Sequence, residues 1–147
     1  MSRVIDTADA IVAELVIGLA ADEFSMEFTP TRRVLPKFEL SELDTLQVTV
    51  VPAAVEVLAA SRAASQYDIR VDIGIQKRVS RGALEADVLG LCDLVDEIAD
   101  FLKMRGLSEA PTAHWRTTQN EPIYSAERLL DDRTFISVLA LIYVVIE

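Results

Sequence analysis

From Tyr67 to Val79 the chain alternates: Tyr67, Ile69, Val71, Ile73, Ile75 and Val79 fall on one side, and Asp68, Arg70, Asp72, Gln76 and Arg78 on the other. Lys77 is the lone exception on the apolar side. A period of two held over this length predicts a strand with one dry and one wet face, because successive side chains of an extended chain point to opposite sides. The dry face needs a hydrophobic layer against it, so a covered sheet is required of any fold this chain adopts. Gly74, on the wet face, is expected to mark a bulge or a close neighbouring backbone.

Two amphipathic helices can supply that layer. Over residues 3–21, Val4, Ala8, Ile11, Val12, Leu15 and Leu19 recur at helical spacing, with Asp6, Asp9 and Glu14 mostly off that face. Over residues 84–105, Leu84, Val88, Leu91, Val95, Ile98 and Leu102 form a stripe, and Gly106 stands where a C-terminal cap belongs. The other sides of this second helix carry Glu85, Asp87, Asp93, Asp96, Glu97 and Asp100, a row of solvated carboxylates.

The remaining segments read as further strands and connections. Residues 22–33 have neither period, and Pro30 removes a donor, which predicts an exposed connection. Val34 to Leu40 alternates around Pro36, so any strand there belongs at an edge. Leu46 to Val51 is expected to be a strand ended by Pro52, and residues 53–64 lean to a strand or a loose loop. A strand is expected around residues 113–118, then a turn over Gln119-Asn120-Glu121-Pro122 and a helical turn over residues 126–130 capped by Ser125. The fold class expected is α+β, a mixed or antiparallel sheet of about four strands against two main helices, in a single domain over residues 1–147.

The closing segment, Arg133 to Glu147, is apolar on both alternating faces: Phe135, Leu139, Leu141, Tyr143 and Val145 on one, Ile136, Val138, Ala140, Ile142, Val144 and Ile146 on the other. That is the pattern of a strand covered on both sides. With only two substantial helices, another subunit is expected to cover one sheet face. Composition agrees: 51% of residues are hydrophobic, yet the formal charge is −10, so apolar residues must gather on inner or contact faces.

Several function classes are disfavoured. The acidic balance opposes gripping nucleic acid, which draws affinity from Lys and Arg on phosphates. The acidic approach to the apolar stretch Ile11 to Ala21, without a basic leader, opposes a secretory signal. Phe135 to Ile146 as a helix would be about 18 Å long against a hydrocarbon core of roughly 30 Å, so no membrane partner is expected. The single cysteine, Cys92, can form no internal disulfide and reads as a core thiol. His114, the only histidine, has no metal-ligating or triad company; Asp96 and Asp100 lie on a solvated helix face, and the glycines form no phosphate loop. The chain is therefore expected not to be an enzyme and to need no cofactor or metal.

Contact residues remain. Trp115 and Tyr124 flank a turn and are of the type that anchors interfaces, and Arg32, Arg33, Arg62, Arg78 and Arg81 are basic points that a neighbour's carboxylates could meet.

The order of elements resembles small tail-associated proteins of long-tailed bacteriophages, and among them the tail terminator, or tail completion, family. The likeness is carried by the N-terminal helix, Val48-Thr49-Val50-Val51-Pro52, the strand Tyr67 to Lys77, the acidic helix, and the last strand after Trp115 and Pro122-Ile123-Tyr124. It covers most of the chain and is one of pattern; the closing segment is more apolar than the family's usual alternation. The resemblance implies an α+β subunit of a homohexameric ring at the neck end of the virion tail, assembled in the host cytoplasm. Such a ring caps the tail tube, ends its polymerisation and meets the head-tail connector proteins, while DNA passes an acidic wall without specific binding. Two other readings are a head-closure or neck protein of the same virion, and a small ferredoxin-like ligand-binding or regulatory domain dimerising through its sheet.

Overall fold

The computed structural model describes residues 2–35 and 38–147. It shows an α+β fold in which a five-stranded mixed sheet carries its two main helices on one face. The elements are α1 (Arg3–Ala20), β1 (Pro30–Arg32), a 3₁₀ turn (Leu40–Asp44), β2 (Gln47–Ala59), β3 (Ser65–Arg78), α2 (Leu84–Leu102), β4 (His114–Asn120), α3 (Ala126–Asp132) and β5 (Thr134–Ile146). The sheet runs β1-β2-β3-β5-β4, parallel at β1–β2 and antiparallel elsewhere.

Helical spacing places Ala8, Ile11 and Leu15 of α1 and Leu91, Leu94, Val95, Ile98 and Leu102 of α2 over the sheet. The alternating residues Ile69, Val71, Ile73 and Ile75 of β3 and Phe135, Leu139, Leu141, Tyr143 and Val145 of β5 meet them in one contiguous core. Fully burying one such side chain stabilises by about 1.5–3 kcal/mol, so this central strand pair and its helices dominate the energetics. Ser2 caps α1 by accepting from the Ile5 amide, and Ser125 caps α3 by accepting from the Arg128 amide, as its position before residues 126–130 predicts.

Several expectations need correction. Residues 22–33 are not simply an exposed connection: Phe24 and Phe28 are buried, and Pro30–Arg32 forms the fifth strand beside β2. Phe24 anchors the segment against Phe101, ring centroids 5.2 Å apart, and over Gly18, where an added Cβ would come within 2.8 Å of its ring. This long-range packing has no local periodicity. The segment 34–40 shows no strand among its described residues; Pro36 and Lys37 lie outside them, and the 3₁₀ turn begins at Leu40.

Pro52 does not end its strand. β2 shifts register between Pro52 and Ala54 and continues to Ala59, so residues 53–59 are strand and 60–64 the hairpin turn. A proline can stand here because, among the described residues, β1 flanks β2 only along Val48–Val50, and no ladder bond to it is lost beyond that point. Gly74 lies opposite Thr49 without a shift, and an added Cβ would meet the Thr49 Oγ1 at 3.1 Å, so it marks neither a bulge nor a close backbone but a close side chain. The wet face of β3 is not wet throughout: Gly74 and Gln76 are buried.

At the end of α2 the left-handed residue is Met104, φ 58°, and Gly106 does not take the cap. Glu14 is not off the buried face of α1; it is only 2% exposed. Most consequential, α1 and α2 lie on the same side of the sheet, and the other face of β5 is only partly screened, by Leu43 of the 3₁₀ turn and Arg128 of α3 near Ile136 and Val138. Ile136, Val138, Ala140, Ile142 and Val144 are half-buried and Ile146 is 59% exposed.

Candidate functional site

Alternation along β5 fixes the open face. On it the apolar stripe Ile136, Val138, Ala140, Ile142, Val144 and Ile146 is one strand wide, fenced by Gln66, Asp68, Arg70 and Asp72 of β3 and by His114, Thr117 and Gln119 of β4. Arg116 bridges the fence, its guanidinium 3.3 Å from Asp68, which also accepts from the Gln66 amide at 2.8 Å; Arg70 pairs with Asp72 at 3.0 Å. An apolar strip inside a charged rim is the anatomy of a contact surface, where the centre is desolvated and the rim sets orientation.

Toward the other end of the strands a hollow of about 340 Å³ opens on this face, lined by Val51, Asp72, Gly74, Ile136, Val138 and Arg128. Its charged groups are already paired, Asp72 with Arg70 and Arg128 with Asp132 at 3.1 Å.

A second apolar area lies at the tip of the β2–β3 hairpin. Val55 and Val57, on the helix-bearing face, are 40% and 61% exposed, and Leu58 on the other face is exposed too. The registers fix rows across the sheet: Val55, Ile69, Tyr143 and Trp115 stand side by side on the helix face, and Glu56, Asp68, Val144 and His114 on the open face.

Beneath the helix layer Glu14 clamps the loop after α2. It accepts from Arg105 Nε at 2.6 Å and from the amide and hydroxyl of Ser108 at 2.9 and 2.5 Å. Burial pushes its carboxyl up, but these donors and the Arg105 charge outweigh burial and hold it below the usual carboxylate range. Burial pushes the Tyr143 phenol well above its ordinary value, with Glu14 adding to the effect, and its hydroxyl has no hydrogen-bond partner among the described residues. Cys92 is half-buried against the core, as read; burial, then Asp96 and Asp93, push its thiol up.

The contact residues named from sequence do not gather at one place. Arg32 is held 2.6 Å from Asp9, Arg33 lies over the Phe38 ring at 4.4 Å, and Arg78 is 3.8 Å from Asp44. Arg62 is exposed at the hairpin tip and Arg81 in the loop before α2. Trp115 is half-buried on β4 and donates to Thr118 Oγ1 at 2.8 Å; Tyr124 is exposed near Phe135, ring centroids 6.3 Å apart. Reading by residue type passed over Glu56, Val55, Val57 and Arg116. The available signal was the alternation of residues 54–59, masked by the run of alanines and by Pro52.

No helix among the described residues is long and apolar enough to cross a membrane. No protein-family model matches the sequence, and no curated protein matches it.

Proposed function

We propose that this chain is a structural subunit that assembles with copies of itself into a ring, of the kind that terminates a bacteriophage tail tube and joins it to the head connector. The observation that carries the reading is the apolar stripe on the face of β5 away from α1 and α2, which stays only half-buried from Ile136 to Val144 and is exposed at Ile146. Burying that stripe against like subunits stabilises an assembly by roughly 25 cal/mol for each Å² removed from water, before the costs of association. The acidic balance fits a channel wall that DNA passes without adhering. The tail-terminator assignment within ring-forming proteins rests on the resemblance in element order.

Native mass measurement, on the chain alone and with purified tail tubes, tests it: a hexamer, free or at the tube end, is expected, and a monomer that ignores tubes would contradict it. A head-closure role in the same virion would use the same surface and is separated by co-purification with portal components. The ferredoxin-like alternative fits less well, since the helix-first order with three successive strands is not β-α-β-β-α-β.

A further inference from the structure

Resting on the ring reading, we propose that neighbouring copies join edge to edge, the distal half of β2 in one copy adding to β4 of the next, so that one antiparallel sheet runs from subunit to subunit. β1 flanks β2 only along Val48–Val50, so from Pro52 to Ala59 no strand of the described residues lies beside that edge. Ser65 exchanges both backbone hydrogen bonds with Glu147, at 2.7 and 3.0 Å, and the Ala60 amide donates to the Ala64 carbonyl at 3.2 Å. Antiparallel alternation then turns the backbone groups of Glu56 and Leu58 toward β3 and those of Val55, Val57 and Ala59 to the open edge.

At the opposite edge of the sheet, Val138 exchanges backbone bonds with Glu121 and Pro122, which sets the even-numbered residues of β5 toward β4. Trp115 and Thr118 therefore turn their backbone groups outward. All these outward residues carry their side chains on the helix-bearing face, so the two edges meet with like faces aligned. Three antiparallel steps separate β2 from β4, so the strands run in opposite directions, and a neighbour's β4 beside β2 is antiparallel to it. Such a contact is head-to-tail and closes into a ring when the rotation permits.

The side chains complement each other across this joint. With no slide along the strands, the row of Val55, Ile69, Tyr143 and Trp115 continues, so the neighbour's Trp115 follows Val55. Hollows of about 430 and 300 Å³ flank Trp115, walled by Ala99 and Lys103 and by Met104 and Ala113, and they suit the exposed Val55 and Val57. On the open face the next row sets Glu56 beside the neighbour's His114, with Arg116 one bulged residue on. Within one chain Glu56 stands directly opposite Asp68, a destabilising like-charge pair, and only Asp68 has Arg116 and Gln66 to offset it. The joint gives Glu56 a hydrogen-bonding imidazole on the side away from Asp68.

Cross-linking tests this in a Cys92→Ser background. Glu56 and the neighbour's His114 would face each other as a non-hydrogen-bonded pair, about 4.5 Å between Cα atoms, within disulfide reach. A chain with both Glu56→Cys and His114→Cys should oxidise into a ladder of covalent multimers, while the two single variants mixed should stop at a dimer. Glu56→Lys, with its fold checked by circular dichroism, should weaken assembly roughly tenfold. An assembly that forms without cross-linking and tolerates Glu56→Lys would overturn the edge joint and leave the ring reading standing. A chain that neither cross-links nor assembles, with or without tail tubes, would overturn both.

Discussion

The two faces of β5 are built from the same kinds of residue and meet different fates. Phe135, Leu139, Leu141, Tyr143 and Val145 are enclosed by α1 and α2, while Ile136, Val138, Ala140, Ile142 and Val144 stay half-buried. The first face is what a single chain finishes for itself. The second is apolar with only partial cover, from Leu43 and Arg128 near Ile136 and Val138, and on the proposed reading it is the face that like copies cover.

Substitution on the two faces should therefore separate stability from assembly. Leu141→Ala removes a fully buried side chain and should cost about 2–5 kcal/mol in urea unfolding, whereas Ile142→Ala should cost about 1 kcal/mol in the dissociated chain. Equal losses at low concentration would break the contrast.

Next in size is the clamp at Glu14. Glu14→Ala leaves Arg105 and Ser108 without their acceptor and should cost about 1.5–3 kcal/mol. Its pH dependence has a definite sign: the folded carboxyl titrates below its unfolded value, so its stabilisation is complete above the ordinary carboxylate range and is lost as pH falls through the depressed value. Urea midpoints at about pH 6 and about pH 3 should differ more for the native chain than for Glu14→Gln.

Gly18→Ala sharpens the helix side, since its Cβ would press to 2.8 Å from Phe24 and 2.9 Å from Phe101; a loss of about 1–3 kcal/mol is expected by thermal unfolding. Arg116→Ala on the open face should cost below about 1 kcal/mol, because its pair with Asp68 is solvent-screened. A double-mutant cycle with Asp68→Ala measures that coupling.

What the sequence discloses divides along the same line. Periodicity placed both main helices and the strands β3 and β5, because these elements repeat their apolar residues at the spacing of their own backbone, but it cut β2 short at Pro52. It could not tell which face of β5 would be covered, since that depends on both helices choosing one side. Burial of Glu14, Phe24 and Phe28 was also illegible, because it comes from partners far along the chain, Arg105, Ser108 and Phe101. Of the contact residues chosen by type, Trp115 lies at the proposed edge joint, while several arginines are engaged locally, such as Arg32 with Asp9. The open edge at Val55 and Val57 emerges only once β1 is seen to stop short of it.

Sedimentation velocity of the native chain beside Ile142→Asp, over a wide concentration range, tests most directly whether like copies cover the open face. The native chain should sediment as a closed oligomer, and the variant, left with the edge joint alone, should dissociate at a higher concentration. A native chain that stays monomeric throughout, or a variant that assembles as tightly as the native chain, would contradict it.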